Sequence, residues 1–444
     1  MDMRTEQDTM KEQEARRQIF GWAMYDWANS AYVTTVAVAV LPVYFADVVV
    51  GESATLFGVE FTATSLWGYA VSLAGLFVFL LAPFFGAVAD FSAMKKRFLT
   101  VCCYVGSAAT VGMFFLYPGG VWLALALFLA AQICFVGGNV FYDAFLPHVS
   151  PPGKMDRVSG KGFAFGYIGG GLHFALCLGL IAGSGKLQEM GLPIDKDLAA
   201  RLALATAGLW WGGFALVTLK RLKEPQNGGQ DSGTSLAGYI GVGWSRVAKG
   251  TRAVLRDRRL LIFLIGFLFY NDGIQTVIAM ATIYGRDELG FTPTDLMLTL
   301  LIIQFVAIFG AFFFSRLAEK IGTKLALMTA LVVWTGIAVY GYFISSVGEF
   351  YILGAVVGLV LGGSQALSRS LFGSMIPKEH SAEFFGYFSV VHKVSSIAGP
   401  FLFAIVSQSL GSARPAVLSL TVFFVVGLVM LAFVRMPRGG EKAG

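Results

Sequence analysis

Residues 98–142 contain no Asp, Glu, Lys, Arg or His, a run of 45 residues. A helix needs about 20 predominantly apolar residues to cross a bilayer. The run therefore holds two crossings, and Tyr117-Pro118-Gly119-Gly120 separates them. Similar runs predict spans 1 to 6 at 20–46, 64–90, 98–117, 121–145, 161–184 and 201–219. They predict spans 7 to 12 at 259–284, 296–317, 325–346, 350–372, 384–409 and 413–435. Only 14% of the 444 residues are charged and 56% are hydrophobic, whereas a soluble domain carries about 25% charged residues. This composition argues against a soluble enzyme, a nucleic-acid binder, a disordered chain and a secreted disulfide scaffold. The 54 glycines and 40 phenylalanines suit lipid-embedded helices. The expected fold class is an all-α membrane protein with 12 transmembrane helices in two six-helix bundles.

Lysine and arginine set the orientation. Of the 33, 28 fall in the N-terminal segment, the loops after even-numbered spans and the C-terminal segment. The other five, Lys186, Lys196, Arg201, Arg286 and Arg414, fall on the opposite side. Both termini and the central loop are therefore expected in the cytoplasm, and the net charge of +6 needs no nucleic acid to explain it. The expected organisation is a cytoplasmic tail at 1–19, a six-helix bundle at 20–219, a central loop at 220–258, a second bundle at 259–435 and a tail at 436–444. The first apolar run follows the charged stretch KEQEARRQ without a small-residue cleavage site, so no cleavable signal peptide is expected. Cys102, Cys103, Cys134 and Cys177 lie in apolar runs, form no CxxC pair and read as small buried hydrophobes. Within the central loop, 224–229 reads as a flexible linker. Residues 236–259 mix Tyr239, Ile240, Trp244, Val247 and Leu255 with basic residues, which predicts an amphipathic helix on the cytoplasmic membrane face.

The two halves repeat. Gly86-Ala87-Val88-Ala89-Asp90 and then Lys95-Lys96-Arg97 follow span 2, as Ser315-Arg316-Leu317-Ala318-Glu319 and then Lys320, Gly322 and Lys324 follow span 8. Pro147 and Pro377 are expected to end spans 4 and 10. Gly166-Tyr167 is echoed by Gly386-Tyr387, and Tyr25-Asp26 by Tyr270-Asn271-Asp272. Two six-span halves of the same orientation imply a parallel repeat about an axis along the membrane normal. A cavity between the halves and a rocking motion follow from that plan.

On these residues the chain resembles the major facilitator superfamily. The acidic residue and basic cluster after span 2 resemble its loop motif, although Phe91 stands where a basic residue is usual, and SRLAEKIGTK after span 8 is closer to the pattern. More specific are YDWANSAY at 25–32, FYDAFLP at 141–147, SGKGFAFGYIGGGL at 159–172, YNDGIQT at 270–276 and GGSQALSRSLF at 362–372. Together they resemble the "unknown major facilitator" family, relatives of the fungal vacuole effluxers. The resemblance implies the major facilitator fold and a secondary transporter. It points to amino acids, because fungal relatives are associated with amino-acid export from the vacuole. The compact, bacterial-looking chain suggests a plasma (inner) membrane instead.

An ionisable side chain inside a bilayer costs several kcal/mol on most scales, so it is a functional candidate by default. Asp272 and Asp26 occupy matching positions in spans 7 and 1. They are the first and second candidates for proton coupling or for binding a substrate amine. The competing reading is a carboxylate that caps or hydrogen-bonds a broken helix. Tyr25, Asn29, Asn271 and Gln275 offer polar contacts beside them, and Tyr167 is a further cavity candidate. His173 and Lys393 are further coupling candidates. Lys393 suits a substrate carboxylate, an Asp partner or snorkelling, and His173 suits a relay or a structural hydrogen bond. Asp143 and Arg369, on the equivalent spans 4 and 10, are expected to form a bridge closing the cytoplasmic side. Asp90, Lys95, Lys96, Arg97, Arg316, Glu319 and Lys324 read as latches at helix ends. Gly162, Gly166 and Gly170 in span 5, and Gly354, Gly358 and Gly362 in span 10, form small-residue faces for close packing.

Residues 166–171 are no dinucleotide loop, because no strand precedes them, and Gly185-Lys186 lacks the rest of a Walker motif. No His pair has metal-ligand spacing, and no cofactor and no enzymatic constellation is expected. The expected partners are a small-molecule solute, protons or another coupling ion, and the lipid bilayer, with the protein a monomer. The leading reading is a rocker-switch, proton-coupled transporter of a small polar organic solute. The alternatives are an exporter of amphipathic drugs or lipids and a non-transporting receptor.

Overall fold

The computed structural model describes residues 3–51, 53–56, 58–225 and 236–435. Among them, twelve helical segments are long and apolar enough to cross a membrane. They are spans 1 (Glu12–Val50), 2 (Ala63–Ser92), 3 (Lys95–Phe115), 4 (Val121–Val149), 5 (Met155–Glu189), 6 (Lys196–Arg221), 7 (Arg258–Glu288), 8 (Thr294–Ile321), 9 (Thr323–Phe343), 10 (Val347–Met375), 11 (Lys378–Leu410) and 12 (Ala413–Phe433). Each coincides with one expected span. The tail expected at 436–444 and most of the linker expected at 224–229 lie outside the described residues.

Several local features depart from the expectation. The first helix already begins at Met3, inside the expected tail, where the Glu12–Arg16 pair at 2.7 Å supports it on successive turns. Two short antiparallel strands, Ala54–Leu56 and Val59–Phe61, interrupt the all-helical plan between spans 1 and 2. Span 4 continues through Pro147 to Val149.

Spans 1 and 7 both loosen into π-helical turns in their second halves, at Tyr32–Val40 and Phe45–Val50 in span 1 and at Tyr284–Glu288 in span 7. Span 11 is broken. Its first helix, Ser381–Val394, stops before Ser395, and a second, Ala398–Leu410, starts after Ile397. Pro400 supplies the cause. It has no N–H to give the carbonyl four residues back, and its ring clashes there, but it is tolerated in a helix's first turn.

The chain forms two compact units, one of Met1–Ala82, Ala93–Tyr142 and Phe165–Gln226, the other of Pro83–Ser92, Asp143–Ala164 and Asn227–Gly444. In the first, span 6 packs on spans 1 and 3. In the second, span 10 packs on spans 8 and 9, and span 7 on span 12. The small-residue face of span 10 is what admits span 8. A Cβ on Gly358 would lie 2.6 Å from the Ile303 carbonyl oxygen and 3.1 Å from its Cα, and backbone cannot give way as a side chain can. Overpacking of this kind costs about 1–3 kcal/mol. Gly358→Ala should therefore lower the thermal midpoint of the purified protein by several degrees, and an unchanged midpoint would count against this packing.

Candidate functional site

Within the first unit, Asp26 accepts a hydrogen bond from the Tyr142 hydroxyl at 2.8 Å. Tyr142 is fixed in turn by Trp22, whose ring stacks on it at 4.5 Å and whose indole N–H donates to the Tyr142 carbonyl at 2.9 Å. Asp26 itself is half-buried. Its neighbours proposed for the cavity are not open. Tyr25 is 0% exposed, its ring beside that of Tyr142. Asn29, 2% exposed, donates to the Asn139 side-chain oxygen at 2.6 Å. Both bind span 1 to span 4.

His173 is likewise held between neighbouring spans. It is 3% exposed, its Nδ1 lies 2.8 Å from the Thr35 hydroxyl and its Nε2 lies 3.3 Å from that of Thr206. Both ring nitrogens are thus engaged by hydroxyls of neighbouring spans. Tyr167 is half-buried on the same span, where Gly170 packs against Ser30 of span 1.

Within the second unit, the break in span 11 and the polar triplet of span 7 meet. The Asp272 carboxylate accepts the Gly399 N–H at 2.8 Å and so caps the second helix of span 11. An anion at a helix N-terminus satisfies backbone donors that lipid cannot. Asn271 donates to the Ser395 hydroxyl at 2.5 Å and lies 3.1 Å from His392 Nδ1. Tyr270 is hydrogen-bonded to Ser368 of span 10 at 2.7 Å. Asp272 and Asn271 are both 3% exposed. Asn271 is thus hydrogen-bonded to span 11. Gln275, one turn on, is half-buried and makes no side-chain hydrogen bond among the described residues. Lys393 sits in the last turn before the break, half-buried, with no ion pair or hydrogen bond of its ammonium among the described residues.

Asp143 and Arg369 are brought together at 3.0 Å. The Arg369 guanidinium is 4% exposed and donates from all three nitrogens. It donates through Nε to the Ser159 hydroxyl at 3.0 Å and through Nη2 to the Ser159 carbonyl at 2.9 Å, and it lies over the Phe163 ring at 4.1 Å. Next to it, Asp156 accepts from Ser370 and, at 2.7 Å, from Thr323.

The helix-end residues divide. Asp90 is buried and accepts the Glu383 N–H at 2.8 Å, capping the first helix of span 11. Lys324 donates to the carbonyls of Ala432 at 2.7 Å and Val434 at 2.8 Å, closing the end of span 12. Lys95 is 1% exposed. Lys96 gives its backbone N–H to Glu224 at 2.8 Å. Burial pushes the Glu224 carboxyl above its usual range, against the pull of the Lys96 and Lys95 N–H groups. Glu224, read from sequence as linker, is thus the cap of span 3. Arg97, Arg316 and Glu319 are exposed, and the last two make no hydrogen bond or ion pair among the described residues.

Residues 14–444 match the family model described as "Vacuole effluxer Atg22 like". The chain belongs to this family. Among its relatives, the uncharacterized MFS-type transporter YxiO of Bacillus subtilis is 35% identical over 93% of this chain and 94% of its own length. Autophagy-related protein 22-1 of Aspergillus niger is 24% identical over 87% of this chain and 75% of its own length. Among solved structures, the E. coli fucose:proton symporter FucP matches with a TM-score of 0.68 over 96% of this chain and 99% of that one, at 13% identity. That likeness carries the major facilitator fold and no more. This Atg22-like protein is therefore an integral, multi-pass membrane transporter of the major facilitator type.

Proposed function

We propose that the protein is a proton-coupled secondary transporter of small organic solutes bearing a carboxylate, amino acids foremost, working by rocker-switch alternating access. The observation that carries this reading is Lys393. A cation within a span is costly unless paired, and the dipole of its own helix's C-terminus offsets only a fraction of that. A solute carboxylate would complete the pairing. Gln275 is a further solute contact. Asp26 and Asp272 are the proton-carrying groups, Asp272 because its charge also holds the break in span 11. On this reading both termini face the cytoplasm, the membrane is a bacterial inner membrane and the working unit is a monomer. The positive-inside count and the bacterial relative support the first two.

Uptake of radiolabelled amino acids into proteoliposomes tests the role of Lys393. Wild type should transport an amino acid and ignore its neutral amide. Lys393→Gln should lose at least tenfold in rate, and Lys393→Arg should retain a measurable part. Undiminished uptake by Lys393→Gln, or equal transport of acid and amide, would overturn the assignment.

A further inference from the structure

The helix Leu236–Arg256 precedes span 7. It presents three adjacent faces, because residues one apart on a helix point about 100° apart. Gly243, Gly250 and Val254 are buried, and Val247 is half-buried beside them. Gly243 packs on Phe84 and Val88 of span 2, and Gly250 packs on Glu383 of span 11. The Val247 carbonyl accepts from the Tyr387 hydroxyl at 2.7 Å. The helix thus lies at the ends of spans 2 and 11 and at the start of span 7, which fixes it at the membrane boundary.

The next face is apolar and open, with Trp244 52% and Leu255 60% exposed and Ala248 between them. The face after that is basic and open: Lys249, Arg252 and Arg256 are exposed and make no ion pair among the described residues. Between 236 and 259 there are six Lys and Arg against one acid, Asp257, whose carboxylate is occupied by the Arg259 N–H at 2.9 Å.

We propose that this helix is a binding surface for anionic phospholipid. Trp244 and Leu255 enter the interfacial layer and Lys249, Arg252 and Arg256 hold the headgroup phosphates. An apolar strip beside an uncompensated basic strip at the membrane boundary is the chemistry of such recognition. Because the same helix braces span 2 and span 11, bound lipid would stabilise that contact.

The test is thermal unfolding of the full-length protein in detergent with added dioleoyl phosphatidylglycerol or dioleoyl phosphatidylcholine. Phosphatidylglycerol should raise the midpoint several degrees further than phosphatidylcholine, and 0.5 M salt, at which the Debye length falls to about 4 Å, less than the width of a helix, should remove most of the difference. Lys249→Gln with Arg252→Gln and Arg256→Gln should lose more than half of it, while Lys186→Gln with Lys196→Gln should keep it. If the triple variant is poorly folded, Arg252→Gln alone should reduce the difference measurably. Equal shifts by the two lipids in wild type, or an undiminished difference in the variants of this helix, would overturn the proposal.

Discussion

Asp272→Ala should unfold the second helix of span 11 from span 7 and abolish transport, whereas Asp272→Asn should keep the fold and lose only the proton-driven part. The two outcomes separate because the side chain has two roles on this account. Its oxygen accepts the Gly399 N–H at 2.8 Å, and its charge is the proposed proton carrier. Loss of an N-cap costs about 0.5–2 kcal/mol in water. Inside a membrane each unsatisfied backbone group costs several kcal/mol, so the alanine variant should melt far below wild type. Asparagine retains an acceptor oxygen and should melt within a few degrees of wild type. Thermal unfolding in detergent, run beside uptake with and without an imposed pH gradient, reads both. An alanine variant as stable as wild type would remove the cap from the account.

The second large effect is expected at Asp143. Arg369 is nearly inaccessible, and it pairs with the Asp143 carboxylate at 3.0 Å. Removing one partner of a buried pair leaves an uncompensated charge and costs about 3–5 kcal/mol. Asp143→Ala should therefore destabilise strongly. Asp143→Ala with Arg369→Met should recover part of the loss, because no buried cation remains. A double-mutant cycle on thermal stability measures the coupling. For gating, the exchanged pair Asp143→Arg with Arg369→Asp should transport better than either single change. Transport no better than the singles would sink the gating role while leaving the ion pair itself intact.

The twelve spans were legible because an apolar run of sufficient length permits little else in a membrane. The repeat was read from Tyr25-Asp26 and Tyr270-Asn271-Asp272, which punctuate otherwise apolar helices. What was not legible is which polar residues are satisfied inside the protein. Tyr25, Asn29 and Asn271 read as candidates for solute contact and His173 as one for proton coupling, yet each is buried and three of the four are held by hydrogen bonds to neighbouring spans. Helical spacing tells which face a residue occupies but not which side chain stands opposite. The break in span 11 had a signal in Pro400, which lies well inside a run long enough to cross the membrane uninterrupted. Glu224 had none, because Pro225 and the glycines after it make its surroundings look like linker, and only the fold brings the N-terminus of span 3 to it.

The most direct test of proton-coupled transport is made in liposomes that hold a pH-sensitive dye. Amino acids, short peptides, sugars and cationic drugs are added in turn to wild type and to Asp272→Asn. The account predicts a proton signal driven by amino acids and lost in Asp272→Asn. A signal of the same size in both proteins, or none from any amino acid with folded wild type, would contradict it.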